Sequence, residues 1–115
     1  IYLQDLMPTT LQLAGVEKPE HVDFTSIMPL LEAENAWPYK EIYGAYLNVQ
    51  RSITVGQYKL IYYPKIDRRR LFDLAKDPLE MNDLAASKKH AEMLEQLTAR
   101  LAALQKEMDD PLVRD

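Results

Sequence analysis

The run Tyr58-Lys59-Leu60-Ile61-Tyr62-Tyr63 constrains this chain more than any other stretch. Aromatic and β-branched residues suit a pleated, partly buried surface, so the run predicts a strand. Val55-Gly56-Gln57 just before it is a turn signal, and Gln50 to Thr54 ahead of that predicts the partner strand of a hairpin. Pro64 ends the run, because proline offers no ladder N–H. A basic loop with Lys65 and Arg68-Arg69-Arg70 follows, then a second short strand, Leu71-Phe72-Asp73-Leu74. Asp77-Pro78-Leu79-Glu80 predicts a helix start. Asp77 is the expected N-cap, Pro78 the first helical residue, and Glu80 the side chain that closes a capping box.

The flanking segments extend this plan. Glu41 to Leu47 predicts another strand. Ser87 is the expected cap of a long helix from Lys88 to about Met108, ended by Asp110-Pro111. Ala91, Leu94, Leu97, Leu101, Leu104 and Met108 keep helical spacing and form one stripe. Toward the N-terminus, Asp5 is the expected cap of a helix that tolerates Pro8 in its first turn and stops at Gly15. Val16 to Val22 reads as loop, broken by Pro19. Thr25 or Ser26 is placed to cap a short helix through Leu31, and Glu32 to Lys40, with Trp37-Pro38, reads as a connection. The expected fold class is α+β: a small antiparallel four-stranded sheet packed by a long C-terminal helix, preceded by short helices. The boundary falls in the connection, giving segments 1–37 and 38–115.

One helix can cover only one face of a sheet. Yet Tyr58, Leu60 and Tyr62 point one way and Ile61 and Tyr63 the other. An antiparallel sheet with one wet face alternates more cleanly. Something else is therefore expected on the second face: the N-terminal helices, a domain outside this chain, or a second copy through self-association.

At 115 residues the chain is one domain's worth. Its net charge of -4 argues against nucleic acid as a partner, since phosphate binding wants a basic face. No apolar run approaches the roughly 20 residues that span a bilayer. Cysteine is absent, so disulfides are excluded. The chain starts at Ile1 without Met, already inside a helical pattern, as expected of a fragment.

Three segments together resemble the end of a type I, formylglycine-dependent sulfatase of the arylsulfatase kind. The first is Asp5-Leu6-Met7-Pro8-Thr9-Thr10-Leu11-Gln12-Leu13-Ala14-Gly15. The second is Met28-Pro29-Leu30-Leu31. The third joins Tyr58-Lys59-Leu60-Ile61 to Leu71-Phe72-Asp73-Leu74 and then to Asp77-Pro78-x-Glu80-x-x-Asp83-Leu84-Ala85. Asp83 departs from the usual Asn, and Phe24-Thr25 from the Gly common after Asp. The resemblance implies a C-terminal fragment whose N-terminal helices end an alkaline-phosphatase-like catalytic domain. That missing domain is then the main partner, and it carries the calcium and the formylglycine that act on a sulfated substrate. This chain has neither Cys nor a Ser-x-Pro-x-Arg motif, so the resemblance transfers no catalytic residue and no metal or cofactor site to it. A free-standing α+β binding or scaffold module is the alternative.

Several residues invite a functional reading beside a structural one. Asp77, Glu80 and Asp83 are spaced three apart, but a capping box and turn explain them better than a metal loop, which wants more oxygen ligands. Arg68 to Arg70 reads as a solvated loop, with contact to a sulfated glycan as the alternative. His90 reads as an exposed first-turn residue. His21 lies in a loop near Asp23, and in a complete enzyme it could face the catalytic cleft. The richest segment is Tyr43 to Arg51. It reads as an edge strand with aromatic cross-strand pairs. Alternatively it lines the substrate entrance of the complete enzyme, with Tyr46 stacking on a sugar, Asn48 binding hydroxyls and Arg51 pairing with a sulfate. For that role the three are expected on one strand phase, with Leu47 and Val49 opposite.

Overall fold

The computed structural model describes residues 1–33 and 37–113. The middle of the expected connection, residues 34–36, lies outside the described residues. The chain divides into two compact units, Ile1–Ile42 and Tyr43–Asp115.

In the first unit a 3-10 turn, Leu3–Asp5, runs into helix α1, Leu6–Leu13. Asp5 stands at the head of α1, as expected, but its side chain does not cap that helix. It is already helical itself, and its carboxylate reaches back to accept the Tyr2 N–H at 2.6 Å. The helical path begins one turn earlier than the sequence pattern suggests, because this back-bond satisfies an otherwise orphan donor. Asp5 is fully buried and also accepts the Tyr39 hydroxyl. Tyr2 packs edge-on against Tyr39 at 5.0 Å and Phe24 at 5.9 Å. The stop at Gly15 is as expected. Gly15 has φ +68, and the bonds Gly15 N–H to Gln12 O (3.1 Å) and Val16 N–H to Leu11 O (2.9 Å) form a Schellman motif. Helix α2, Met28–Glu32, starts beside Ser26, whose Oγ accepts the Met28 N–H at 3.2 Å.

Four strands make one sheet in the order β1-β2-β3-β4: Glu41–Tyr46, Gln50–Val55, Tyr58–Tyr63 and Arg68–Asp73. Gly56 turns the central hairpin at φ +54. Helix α3, Ala91–Glu107, lies on one face after a 3-10 turn, Lys88–His90. Its Leu97, Leu101 and Leu104 bury against Ile53, Leu60 and Leu71, with Tyr43, Tyr58 and Tyr62 around them. The stripe frays at its end, where Met108 is 56% exposed. This is the expected α+β architecture.

Two local readings are overturned. The arginines do not form a loop. Pro64–Ile66 is a 3-10 turn, Asp67 reverses the chain at φ +43, and β4 begins at Arg68 opposite Tyr63. Aromatic rings compensate the charge: Arg69 lies 4.9 Å above Tyr62 and Arg70 lies 4.8 Å above Phe72. Nor does Asp77-Pro78 begin a helix. Glu80 stands at φ +55, which no helix accommodates. Asp77 instead accepts the Asn82 N–H at 2.7 Å, and Glu80 pairs with Lys59 at 2.6 Å. The reason is the outer edge of β4. Asp83 accepts the Leu71 N–H at 3.1 Å, and the Leu84 N–H bonds Leu71 O at 2.8 Å. The segment runs along β4 because it closes an edge that would otherwise stay open.

On the second face Phe72 is fully buried and Ile61 nearly so. Lys59, on the same face, leans to Glu80, so part of that face is crossed by the Asp77–Asp83 loop.

Candidate functional site: the β1–β2 tip and its brace

β1 ends at Tyr46 and β2 begins at Gln50, with a turn over residues 47–49. The Val49 N–H closes it on Tyr46 O at 3.1 Å, and Leu47 takes the left-handed conformation at φ 46. Such a φ is strained for leucine and persists only where neighbours enforce it. Tyr46 is 64% exposed and Leu47 73%, and Asn48 is exposed as well.

The enforcing neighbour is Arg51, which is 3% exposed. Its Nη1 donates to Leu47 O at 2.6 Å and to Gln50 O at 2.8 Å, so it holds the turn from behind. Its other edge forks onto Asp110. Nη2 donates to Oδ1 at 2.9 Å, and Nε donates to Oδ2. The Tyr43 hydroxyl donates to the same Oδ2, and the Leu112 N–H donates to Oδ1 at 2.9 Å. Asp110 lies just beyond the end of α3 and is 5% exposed. The brace therefore ties the hairpin tip to the end of the last helix.

The electrostatics follow from these bonds. The Arg51 guanidinium, then the Tyr43 hydroxyl and the Leu112 N–H, hold the Asp110 carboxyl well below the usual carboxylate range, although burial opposes them. Asp110 in turn pushes the Arg51 guanidinium up. Burial, then Asp110, pushes the Tyr43 phenol well above its ordinary value. At neutral pH the brace is an ion pair with a neutral phenol donating into it.

Tyr46, Asn48 and Arg51 do not share a face. Tyr46 and Asn48 stand at the exposed tip, while Arg51 points into the helix-covered side opposite Tyr62. Strand phase does not carry through a three-residue turn, and Asn48 and Arg51 are an odd step apart. Sequence reasoning missed Asp110, and it included Tyr43 in the segment without giving it a role. The usable signal was Arg51 itself: an arginine in the same strand phase as the core residue Ile53 needs a buried anion.

The other candidates fall elsewhere. His21 is exposed. His90 is half-buried rather than exposed, because its ring lies 6.4 Å from that of Tyr58 and its Nδ1 lies 3.0 Å from Ser87 Oγ. Asp77, Glu80 and Asp83 each serve a different partner, and among the described residues no group of three His, Asp or Glu is placed to hold a metal ion.

Comparison with known proteins fits this architecture. Residues 1–107 match the profile of the family described as N-sulphoglucosamine sulphohydrolase, C-terminal. The chain belongs to this sulfatase C-terminal family. An N-acetylglucosamine-6-O-sulfatase of Bacteroides thetaiotaomicron is 34% identical over 92% of this chain and 21% of its own length. An arylsulfatase of Clostridium perfringens is 30% identical over 83% of this chain and 20% of its own. A solved structure, captured with D-glucosamine-2-N,6-O-disulfate as its substrate, superposes with a TM-score of 0.77 at 29% identity, over 96% of this chain and 25% of that one. The chain thus spans about a fifth to a quarter of the length of these three relatives.

Proposed function

We propose that this sulfatase C-terminal domain serves a larger sulfuric ester hydrolase by completing its fold and by presenting the β1–β2 tip to a sulfated sugar. In this reading residues 1–37 belong with the catalytic domain and residues 38–115 form the appended subdomain. In the same reading the catalytic domain supplies both calcium and formylglycine, and this chain has neither the Cys nor the Ser-x-Pro-x-Arg motif from which a formylglycine is made. Tyr46 and Asn48 are the contact residues. Arg51 acts through them: with its guanidinium bonded on both edges, it is a positioning residue that fixes the turn.

The single observation behind this reading is the combination at the tip. Side chains suited to sugar binding stand exposed at a turn whose strained backbone is held by a buried ion pair bonded on both edges of its guanidinium. Loops on rigid supports commonly carry specificity, and such precision adds nothing to a merely solvated turn. The test is kinetic, in the complete enzyme. Tyr46→Ala and Asn48→Ala are expected to lower kcat/KM for a sulfated saccharide by about tenfold or more, while a small aryl sulfate is turned over as before. Equal losses on both substrates would make the tip a structural element only.

A further inference from the structure

Between β3, β4 and α3 lies a pocket of about 230 Å³, lined by Leu60, Tyr62, Arg69, Thr98, Leu101, Ala102 and Gln105. This is below the roughly 300–1,000 Å³ of sites for drug-sized ligands, so it suits one ring. Its floor is apolar, from Leu60 and Leu101, both buried. Two polar groups in it are under-used. Gln105 is only 7% exposed, yet its side-chain amide makes no hydrogen bond among the described residues and keeps only slight access to solvent. Among the described residues no fully buried polar side-chain atom lacks a partner, so this amide reaches solvent, and a ligand hydroxyl can take the place of water there. The Arg69 guanidinium carbon lies 4.9 Å from the centre of the Tyr62 ring, and its ion pair is a 3.3 Å contact with the 74% exposed Asp67. An exposed pair of this kind contributes little, which leaves most of the Arg69 fork available. Thr98 donates its hydroxyl proton to Leu94 O at 2.7 Å and keeps its lone pairs as acceptors.

We propose that this pocket is a second ligand site, separate from the β1–β2 tip, for a single sugar ring bearing an anionic group. The ring's apolar face packs on Ala102, with the buried Leu60 and Leu101 beneath it. Its hydroxyls meet the Gln105 amide and donate to Thr98. Its carboxylate or sulfate lies against Arg69, where the planar fork matches two oxygens at once. The inference does not rest on the role given to Tyr46 and Asn48.

The test is a titration of the 115-residue chain followed by backbone amide NMR shifts, with glucuronic acid, glucose and sodium sulfate as probes. Glucuronic acid is expected to move the amides of Arg69, Thr98 and Gln105 saturably. Glucose and sulfate should each bind at least about tenfold more weakly, since each engages only half of the site. Arg69→Gln and Gln105→Leu should each weaken glucuronic acid by about tenfold, and Ala102→Leu, which fills the pocket, should abolish the response. A dispersed spectrum shows that each variant is folded. Tyr46→Ala should leave this binding unchanged. Shifts that map to the β1–β2 tip, a response to sulfate equal to that of glucuronic acid, or no saturable response would each overturn the proposal.

Discussion

At the scale of single residues, Arg51 and Asp110 decide most. They stand 59 positions apart and are both buried. Removing one member of a buried pair leaves the other charge unpaired, which typically costs about 3–5 kcal/mol. Asp110→Asn is therefore expected to lower stability by about that amount in urea melts and to speed amide exchange at residues 46–49. A tip that exchanges no faster in the variant would show that the brace does not hold the turn. The pH dependence has a definite sign. The folded-state pKa of Asp110 lies below that of the unfolded chain. Its contribution is thus complete above the unfolded value of about 3.9 and fades as pH falls below it toward the folded value. The acid limb of the stability curve should flatten in Asp110→Asn. Tyr43 works oppositely: its folded pKa is raised, so its contribution holds below about 10 and falls as pH climbs beyond.

At the scale of elements, the strands and the last helix were legible because their periods are strong. Alternation around Leu60 and the Leu97-Leu101-Leu104 stripe each name their own partner face. The segment from Asp77 to Leu84 was not legible. Its local signal is a good helix start, but a tertiary demand prevails, since the open edge of β4 takes its hydrogen bonds from this segment. The Arg run was misread for a related reason. Three cations look solvated until the rings of Tyr62 and Phe72 are placed across from and beside them. Within the candidate site, Tyr46 and Asn48 stood out as sugar-binding residue types near a strand end, but the strand phase expected to unite them with Arg51 does not survive the turn at residues 47–49. The brace was not legible, because nothing in Arg51's neighbourhood points to residue 110. Asp83 offers a test of the edge-closing role. It accepts N–H bonds from Leu71 at 3.1 Å and Ala85 at 3.0 Å through the same Oδ1, and Arg70 lies 3.3 Å from Oδ2. An asparagine at this position would keep that acceptor. Asp83→Asn is expected to cost under about 1 kcal/mol, because the ion pair it removes is partly exposed. Asp83→Ala strips both backbone donors of their partner and should cost about 1–3 kcal/mol. Equal losses in thermal melts would mean that charge, not edge closure, is what Asp83 provides.

At the scale of the whole molecule, the decisive fact is how much apolar surface the chain shows. Leu3 is 80% exposed, Leu6 51%, Met7 46%, Leu13 69% and Trp37 64%, all within the first unit. In the second unit Leu79 is 80% and Met81 74% exposed. Single exposed apolar residues are ordinary, but Leu3, Leu6, Met7 and Leu13 follow one another along a turn and the helix it leads into. This chain spans only 20–25% of the length of the three relatives named above, and the N-terminal helix lies within the segment proposed to belong with the catalytic domain. The 115-residue chain on its own is therefore expected to associate reversibly, with an apparent mass in sedimentation that rises with concentration. Leu6→Glu with Leu13→Glu should return it to a monomer with unchanged helical content, since both side chains already face solvent. Supplying the catalytic domain of a complete sulfatase as a separate chain should compete with self-association in the parent chain and not in the double variant. A parent chain that stays monomeric at every concentration tested would mean that this helix is not an interface, and the assignment of residues 1–37 to the catalytic domain would fall with it.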